Sequence, residues 1–236
     1  MPPAVRLDLL PGHLETLGRC ALFDRVGPEH LIDLLGCLGA LRHEYRKGTF
    51  VLAAGQPVRS LGIVLEGAVN VVQEDYWGNR NVVSHCVPSD LFAESFCCAG
   101  VKQLPVSVVA TEQCEVLFID FGRIINVCTN ACSFHNGLVQ NMLQVLAVKS
   151  VALTQKLEDV TQRTTREKIL SYLSRAALAA GESGPDAAFV IPYNRQELAD
   201  YLSVDRSALS AELSRMAQAG LLRYDRNRFE LLSSPC

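Results

Sequence analysis

Residues 194–222 constrain the fold of this chain most, because their capping and apolar residues predict two short helices joined by a tight turn. Asn194 and Glu197 are spaced as a capping box that starts the first helix. Asp205 is a suitable N-cap for the second helix, and Gly220 is suited to end it as a C′ glycine. This arrangement is typical of a helix-turn-helix, whose second helix lies in a DNA major groove. The apolar positions of the second helix recur at steps of four and three residues: Leu209, Leu213 and Met216.

The segment that follows favours a winged form of this motif. Residues 221–232 have apolar ends around a polar tetrapeptide, Asp225-Arg226-Asn227-Arg228, and this pattern predicts a β-hairpin. The alternative is an ordinary two-helix hairpin in a bundle, since helix-turn-helix patterns are weak on their own. Four arginines in or near the β-hairpin are available for contacts to DNA phosphates: Arg215, Arg223, Arg226 and Arg228.

The composition is that of a globular protein of one large or two small domains, with 49% apolar and 20% charged residues in a chain of 236. No apolar run reaches the ~18 residues of a membrane-spanning helix, and the N-terminus lacks the apolar block of a signal peptide. We therefore expect a cytoplasmic protein with no membrane partner. The net charge of −3 divides into −4 over residues 1–159 and +1 over residues 160–236. This contrast is too mild to identify a DNA-binding half by itself.

Nine cysteines, an odd number without a secretory signal, argue against a disulfide framework. They are core thiols, redox switches or metal ligands, and the sequence leaves these alternatives open. Cys97 and Cys98 are adjacent in the chain. Cys128, Cys132 and His135 are spaced i, i+4 and i+7, so they share one face if the helix starts that early, and they are candidates for a metal or haem site.

The first two thirds of the chain have a different pattern. Residues 13–41 have apolar positions at helical spacing and predict two or three short helices. Residues 42–120 alternate short Val/Ile/Leu/Phe runs with turn residues, which predicts a compact antiparallel β-barrel or roll. Residues 130–158 return to a helical pattern, and Thr164 with Glu167 forms a second capping box that opens a further helix.

The helix predicted over residues 130–158 has two apolar stripes. A helix that is apolar on two faces must bury both. We expect one stripe to pack on the roll and the other on a second copy of the chain; a single buried helix in a monomer is the alternative. Residues 159–161 are expected to act as a hinge. One stripe is Leu138, Met142, Val145, Lys149, Ala152 and Lys156, and the other is Val139, Leu143, Leu146, Ser150, Leu153 and Leu157.

The chain resembles the Crp/Fnr family of bacterial transcription regulators in several segments. These are the roll segment 64–72 with its glycine, segment 88–95, the predicted long helix, and segments 163–177 and 191–210. The resemblance covers nearly the whole chain. It implies an α+β fold with a double-stranded β-helix (jelly-roll) effector domain, a dimerisation helix and a winged helix-turn-helix domain. The corresponding domain bounds are 1–129, 130–160 and 161–236.

The same resemblance implies the partners. Family members bind two-fold symmetric DNA as homodimers, and their recognition helices reach half-sites about 34 Å apart. A small-molecule effector and RNA polymerase are the other expected partners. Further candidates for phosphate contacts, with solvated surface groups as the alternative, are Arg195, Gln196, Arg166 and Lys168.

Four positions match the family's base-reading residues: Arg206, Ser207, Ser210 and Ala211. Arg206 is able to pair bidentately with guanine. Ser207 and Ala211 stand where the family often has glutamate and arginine, Ser203 replaces the usual turn glycine, and Glu212 replaces an apolar residue. We therefore expect fewer direct side-chain contacts to bases, and an operator other than the TGTGA or TTGAT half-site.

The resemblance also bears on the effector. In cyclic-nucleotide-binding relatives a glutamate holds the ribose and an Arg-Ser pair holds the phosphate. Glu94 matches the glutamate, but the pair falls near Leu104-Pro105, where a buried phosphate would lack its counter-charge. Cyclic AMP is therefore disfavoured, and a small uncharged ligand suits this more apolar pocket. The predicted effector-binding residues are Phe92, Glu94, Ser95, Phe96, Cys97, Cys98, Leu104, Pro105, Val106, Leu138 and Met142.

The cofactor motifs of other relatives are not matched. Cys20 and Cys37 stand alone where iron–sulfur relatives have a tight N-terminal cysteine cluster, and only Cys236 lies at the C-terminal end. Pro2 matches the haem-ligating proline of carbon-monoxide-sensing relatives, but Ser95 stands at their histidine position. No cofactor is assigned, and haem or a metal stays possible.

These features predict a homodimeric, sequence-specific DNA-binding transcription regulator controlled by an effector other than cyclic AMP. An effector near Leu138 and Met142 would change the packing of the paired long helices. One alternative is a regulatory subunit that acts through protein–protein contacts without DNA binding. The other is an enzyme on a cupin-like roll, but only His85 of the five histidines lies clearly on a predicted strand, so we expect no enzyme.

Overall fold

A computed structural model describes residues 12–74, 77, 80–126, 134–181 and 188–232. The chain divides into two compact units, residues 1–147 and 148–236, and each is described by itself. None of the helices in these ranges combines the length and the apolar character that crossing a bilayer requires.

The N-terminal unit opens with short helices, as predicted. They are α1 (Leu14–Arg19), a 3₁₀ turn (Ala21–Phe23) and α2 (Pro28–Cys37). Pro28 occupies the first turn of α2, where its missing N–H costs no hydrogen bond. The Gly27-Pro28 pair therefore starts a helix as well as separating two.

The β-roll predicted over residues 42–120 is confirmed as two four-stranded antiparallel sheets, with strand orders β1-β8-β3-β6 and β2-β7-β4-β5. The short helix α3 (Glu94–Cys98) lies between β6 and β7 in sequence, and α4 (Phe121–Ile125) follows β8. The strands are β1 (Leu41–Tyr45), β2 (Phe50–Leu52), β3 (Ser60–Glu66), β4 (Val69–Glu74), β5 (Arg80–Cys86), β6 (Leu91–Phe92), β7 (Ser107–Ala110) and β8 (Cys114–Asp120).

Side chains alternate between the two faces of a strand, and both faces of strand β3 are buried. Leu61 and Ile63 pack with the short helices in one apolar cluster, whereas Val64 belongs to a second cluster inside the roll. Phe92 fills the second cluster and meets Phe118 edge to face, with ring centroids 6.1 Å apart. Gly62 faces that ring so closely that a Cβ atom there would overlap it, so the close approach requires glycine.

The long helix α5 (Phe134–Val160) is confirmed and carries two different apolar stripes. Leu138, Met142 and Val145 are buried against the short helices and the outer face of β3 and β8. Buried Asn141 ties α5 to the same region by donating to the carbonyl oxygens of Leu22 (3.0 Å) and Asp24 (2.9 Å). The second stripe is solvent-exposed at Leu143 (63%), Leu153 (67%) and Leu157 (60%).

The C-terminal unit has the predicted winged helix-turn-helix, with a three-stranded antiparallel sheet in the order β10-β11-β9. Both predicted capping boxes are present, and Gly220 has a φ of +70°. Asp205 occupies the N-cap position of the recognition helix, but its side chain makes no capping hydrogen bond. The elements are α6 (Thr165–Ala179), β9 (Ala188–Val190), α7 (Arg195–Leu202), α8 (Arg206–Gln218), β10 (Leu222–Asp225) and β11 (Arg228–Leu231).

A partly buried ion cluster joins β1 and β8 at the edge of the roll. Arg42 donates to both carboxylate oxygens of Glu115, with an Nε–Oε2 distance of 2.8 Å, and His13 Nε2 lies 2.9 Å from Glu115 Oε2. Burial by itself raises the pKa of Glu115. The hydrogen bonds and charge of Arg42, together with His13, outweigh burial and lower this pKa below its ordinary value of 4.5.

We expect Glu115→Gln to lower the free energy of unfolding at neutral pH by about 1.5–3 kcal/mol, the scale of hydrogen bonds to charged groups. The carboxyl pKa is lower in the folded chain than in the unfolded chain. Its stabilisation is therefore complete above the unfolded pKa and is lost as the pH falls through the folded pKa. Urea unfolding of both proteins from neutral pH into acid should show the two stabilities converging. A difference that stays constant would contradict this assignment.

Candidate nucleic-acid interface and effector site

The first turns of α8 present a polar face to solvent. Arg206, Ser207 and Ala211 are exposed and Ser210 is half-buried, while Leu209 and Leu213 on the opposite face lie in the core of the unit. The four positions matched to base-reading residues thus share one accessible surface. A helix with this division of faces is able to enter a major groove without exposing its core.

Ser203 forms the turn between α7 and α8 in the left-handed conformation, with φ 52° and ψ 56°. The Val204 N–H donates to the carbonyl oxygen of Ala199 (3.0 Å) and closes the end of α7. A residue with a Cβ atom adopts this conformation at a cost of about 1–2 kcal/mol. The sequence departs here from the usual turn glycine, but the backbone keeps the conformation that glycine favours.

A concave region of about 630 Å³ lies where the starts of α7 and α8 meet the wing, the hairpin formed by β10 and β11. Helix N-termini and arginines both favour anions, so this region suits a DNA phosphate. The residues that line it are Pro192, Asn194, Arg195, Gln196, Glu197, Arg206, Arg226 and Asn227.

The wing is fastened to the segment before α7. The Asn227 amide donates to the carbonyl oxygen of Ile191 (3.1 Å), and the Ile191 N–H donates to the carbonyl oxygen of Asn227 (2.9 Å). Arg195 donates to the carbonyl oxygen of Arg226 (3.4 Å). These bonds fix the wing tip, where Arg226 has a φ of 52°.

Arg195 is thus placed differently from a free phosphate-binding side chain. Its guanidinium lies 5.0 Å from the ring centroid of Tyr224 and 5.8 Å from that of Phe229. Burial lowers its pKa, which is the cost of removing this charge from water. We infer that Arg195 supports the wing by cation–π packing, while it also lines the concave region.

The other predicted phosphate candidates differ in what they already bind. Gln196 donates its amide to Asp200 (2.9 Å), and Lys168 donates to the carbonyl oxygen of Leu202 (3.3 Å), whereas Arg166 is exposed. Two arginines are paired with acids, Arg223 with Glu230 (3.4 Å) and Arg215 with the buried Glu212 (2.8 Å). Within the described part of the chain, no acidic side chain pairs with Arg206, Arg226 or Arg228.

Asn227 is the residue of this region that sequence reasoning did not single out. Its signal is the two-residue turn Arg226-Asn227 between β10 and β11, because asparagine is favoured in hairpin turns of this length. The hydrogen bonds of Asn227 to Ile191 become visible only when strand β9 and the wing are brought together.

The predicted effector-binding residues are divided between two apolar clusters. Phe92 and Val106 lie in the cluster inside the roll with Phe96 packed against it, whereas Leu138 and Met142 lie in the cluster on the outer face of β3 and β8. A two-layer sheet arrangement separates them because alternate residues of one strand point to opposite faces. In this arrangement, an effector inside the roll would lie on the opposite face of the sheet from Leu138 and Met142.

Around α3, several of the remaining predicted residues form hydrogen bonds within the protein. Glu94 is buried and accepts a hydrogen bond from the Ser95 hydroxyl (3.0 Å). Buried Leu104 donates its N–H to the carbonyl oxygen of Gln56 (2.9 Å), and its own carbonyl oxygen accepts from Gly55 (2.8 Å). Pro105 is exposed.

The thiols beside this region are held protonated. Burial raises the pKa of Cys97 to about 12, and burial followed by the charge of Glu94 raises that of Cys98. Since the thiolate is the reactive form, these raised pKa values disfavour reaction of both thiols at neutral pH. Of the alternatives for these two cysteines, core packing is the one that this environment favours.

The metal prediction is not tested by the structure. Cys128 and Cys132 lie outside the described residues, and of His135 only the backbone within α5 is described. Among the described side chains, no group of three or more His, Cys, Asp or Glu residues is arranged to hold a metal ion.

We expect Cys37, which is exposed, to be alkylated by iodoacetamide well before Cys97 and Cys98 in the native protein. The physical reason is the combination of burial and suppressed ionisation at the adjacent pair. Mass spectrometry of peptides after timed labelling at about pH 7.5 measures the order, and labelling in urea supplies the unprotected control. Native labelling of Cys97 as fast as Cys37 would reverse the conclusion about thiol sensing.

Comparison with known proteins supports both units. A family model described as a cyclic nucleotide-binding domain matches residues 42–131, and one described as a Crp-like helix-turn-helix domain matches residues 167–234. The chain is 25% identical over 194 residues to the transcriptional activator protein FnrL of Cereibacter sphaeroides, covering 80% of this chain and 75% of that protein. It is 23% identical over 213 residues to the CRP-like cAMP-activated global transcriptional regulator of Mycobacterium tuberculosis, covering 89% and 92%.

Solved structures show the same fold. The c-di-GMP responsive global regulator CLP of Xanthomonas campestris superposes with a TM-score of 0.56 at 18% identity, covering 88% of this chain and 100% of that one. CprK complexed with OCPA gives a TM-score of 0.63 at 12% identity, covering 84% and 88%. The named relatives are transcription regulators, so the prediction of a non-enzyme is confirmed. With a roll matched to the cyclic nucleotide-binding domain, a Crp-like helix-turn-helix and relatives of this kind, the chain belongs to the Crp/Fnr family of transcription regulators.

Proposed function

We propose that this chain is a homodimeric, sequence-specific DNA-binding transcription regulator controlled by an effector other than cyclic AMP. The observation that carries the proposal is the exposed face of α8 beside an arginine-lined concavity. Arg206, in the first turn of α8, and Arg226, in the wing, both line this concavity. Base contacts from α8 and phosphate contacts from the α7 start and the wing would then be made together.

The second stripe of α5 supports the homodimer. Leu143, Leu153 and Leu157 are each at least 60% exposed, although they repeat at coiled-coil spacing. Exposure of such an apolar stripe to water is unfavourable, and stripes of this kind mark surfaces that a partner covers. A second copy supplies the same stripe, and two-fold symmetry then matches two half-sites of an operator.

The chemistry around α3 supports an effector other than cyclic AMP. Between Pro88 and Val106 the only basic residue is Lys102, which is exposed. The positions of the family's Arg-Ser pair are Leu104 and Pro105, which offer a buried apolar side chain and no phosphate donor. We infer a small uncharged ligand for this region, and haem or another metal group is the alternative, for which Cys128, Cys132 and His135 are the predicted ligands. The activator names of several relatives support RNA polymerase as a protein partner.

Selection of bound sequences from random double-stranded DNA, using purified full-length protein, tests the proposal. We expect an inverted repeat with half-sites about one helical turn apart, and an affinity that falls steeply with added salt. Failure to enrich any sequence, together with no binding at low salt, would instead favour a regulatory subunit that acts through protein contacts.

The visible absorption spectrum of native protein, purified without oxygen, tests the class of effector. A Soret band or a broad band near ~400 nm would indicate haem or an iron–sulfur group. A spectrum without either band supports an organic ligand, for which thermal-shift screening is the direct measurement.

A further inference from the structure

Asp159, at the C-terminal end of α5, is a buried carboxylate with three side-chain partners. Its side chain is 1% exposed. It accepts hydrogen bonds from the hydroxyl of Ser171 (2.7 Å) and the hydroxyl of Tyr201 (3.2 Å), and it pairs closely with the guanidinium of Arg175. Ser171 and Arg175 lie on α6 and Tyr201 lies on α7. One carboxylate therefore joins the end of the long helix to two helices of the DNA-binding unit.

Neighbouring contacts extend this connection. Arg175 also donates to the Tyr201 oxygen (3.3 Å) and to Gln155 one turn earlier on α5 (3.4 Å). The Lys156 ammonium lies 5.4 Å from the Tyr201 ring centroid. The last two turns of α5 thus contact α6 and α7 through side chains from several positions and not through Asp159 alone.

The link between α5 and α6 is correspondingly restricted. The Thr161 hydroxyl donates to the carbonyl oxygen of Leu157 (2.8 Å), and the Thr164–Glu167 capping box begins α6 immediately afterwards. Bending at residues 159–161 would separate Asp159 from Ser171, Arg175 and Tyr201. A buried charge that loses its partners is strongly destabilised, so these contacts oppose bending at Asp159, within the hinge predicted over residues 159–161.

We propose that Asp159 is a positioning residue that makes the end of α5 one rigid body with the recognition unit, and thereby sets which half-site spacing the dimer accepts. This inference rests on the proposed function, because it requires two copies that bind two half-sites. In the proposed dimer, paired α5 helices would hold the two recognition units, one from each copy, at a fixed separation and angle, and the Asp159 contacts would carry that geometry to α7 and α8. The protein then discriminates operators by spacing as well as by base sequence.

Operators that differ only in spacer length provide the test. The selected inverted repeat is compared with versions one and two base pairs longer or shorter, and with a single half-site. For the wild-type protein we expect each spacing change to weaken binding on the order of tenfold, the scale of one mismatched base pair. Asp159→Asn removes the charge and loosens the connection, so its affinity ratio between correct and altered spacing should fall towards one. Half-site affinity should change little.

Matched variants separate positioning from folding. Glu158→Gln removes the exposed charge next to Asp159 and should retain the wild-type spacing preference. Tyr201→Phe removes one hydrogen bond while keeping the ring, and it should give an intermediate loss of spacing preference. This variant supplies the test if Asp159→Asn folds poorly. Amide hydrogen exchange at residues 156–160 should accelerate in both loosened variants, while exchange in α8 stays slow.

The outcomes are distinguishable. If Asp159→Asn and Tyr201→Phe weaken all operators and the half-site by the same factor, Asp159 has a merely structural role and the inference is overturned. If the spacing preference is unchanged in both variants, it is overturned as well. If wild-type protein binds no DNA, the proposed function itself fails; if it binds but ignores spacing, only this inference fails.

Discussion

Arg206→Ala is expected to reduce binding to the selected operator by about 1–3 kcal/mol, or about 5- to 150-fold, while leaving binding to unrelated DNA nearly unchanged. Arg206 is exposed at the start of α8 and forms no ion pair with any described residue, so its guanidinium is available to a guanine edge. Fluorescence anisotropy on the operator and on its single-base variants measures the effect. Preference should be lost at one base step and kept at the others.

Two further variants sharpen this experiment. Arg206→Lys keeps the positive charge but lacks the planar fork, so it should lose the base preference as well. Arg223→Ala removes another exposed arginine, which is paired with Glu230 in the wing, and the base preference of this variant should remain that of the wild type. An Arg206→Ala protein whose base preferences match the wild type would remove Arg206 from base readout.

Leu153→Glu is expected to convert the protein to a monomer and to weaken operator binding by about 100-fold or more, because the second half-site no longer benefits from linkage to the first. Leu153 is 67% exposed on the uncovered stripe of α5. In a two-fold symmetric pair, each glutamate would face the other copy's apolar stripe, and the pair of like charges would be desolvated. Sedimentation equilibrium gives the mass, and titration of operator and half-site DNA gives the affinities.

Val148→Glu is the matched control, because Val148 is 62% exposed on α5 but lies outside the coiled-coil stripe. It should leave the mass and the affinity of the dimer unchanged. A Leu153→Glu protein that remains dimeric would place the dimer interface on another surface. A wild-type protein that is monomeric at the concentrations used for DNA binding would reject the dimer altogether.

The sequence by itself determined the elements whose signals are local. The capping residues Asn194 and Glu197, and the C′ glycine Gly220, sit where the backbone needs them, so the helix-turn-helix was readable from spacing. The two stripes of α5 follow from periodicity alone. Ser203 is the exception. Its turn keeps the left-handed conformation although glycine, the residue that usually signals it, is absent.

Only the tertiary structure decided which side chains meet. Arg195 was predicted as a phosphate contact or a solvated surface charge, and only the folded wing shows that its guanidinium packs on Tyr224 and Phe229. Phe92 and Met142 were both predicted as effector-binding residues, and only the sheet shows that they belong to separate apolar clusters. Asp159 lies in the segment predicted as a hinge, and only the packing of α6 and α7 against α5 shows its buried side-chain partners. Local propensity acts between residues a few positions apart, whereas these contacts join residues distant in sequence and depend on how whole elements pack.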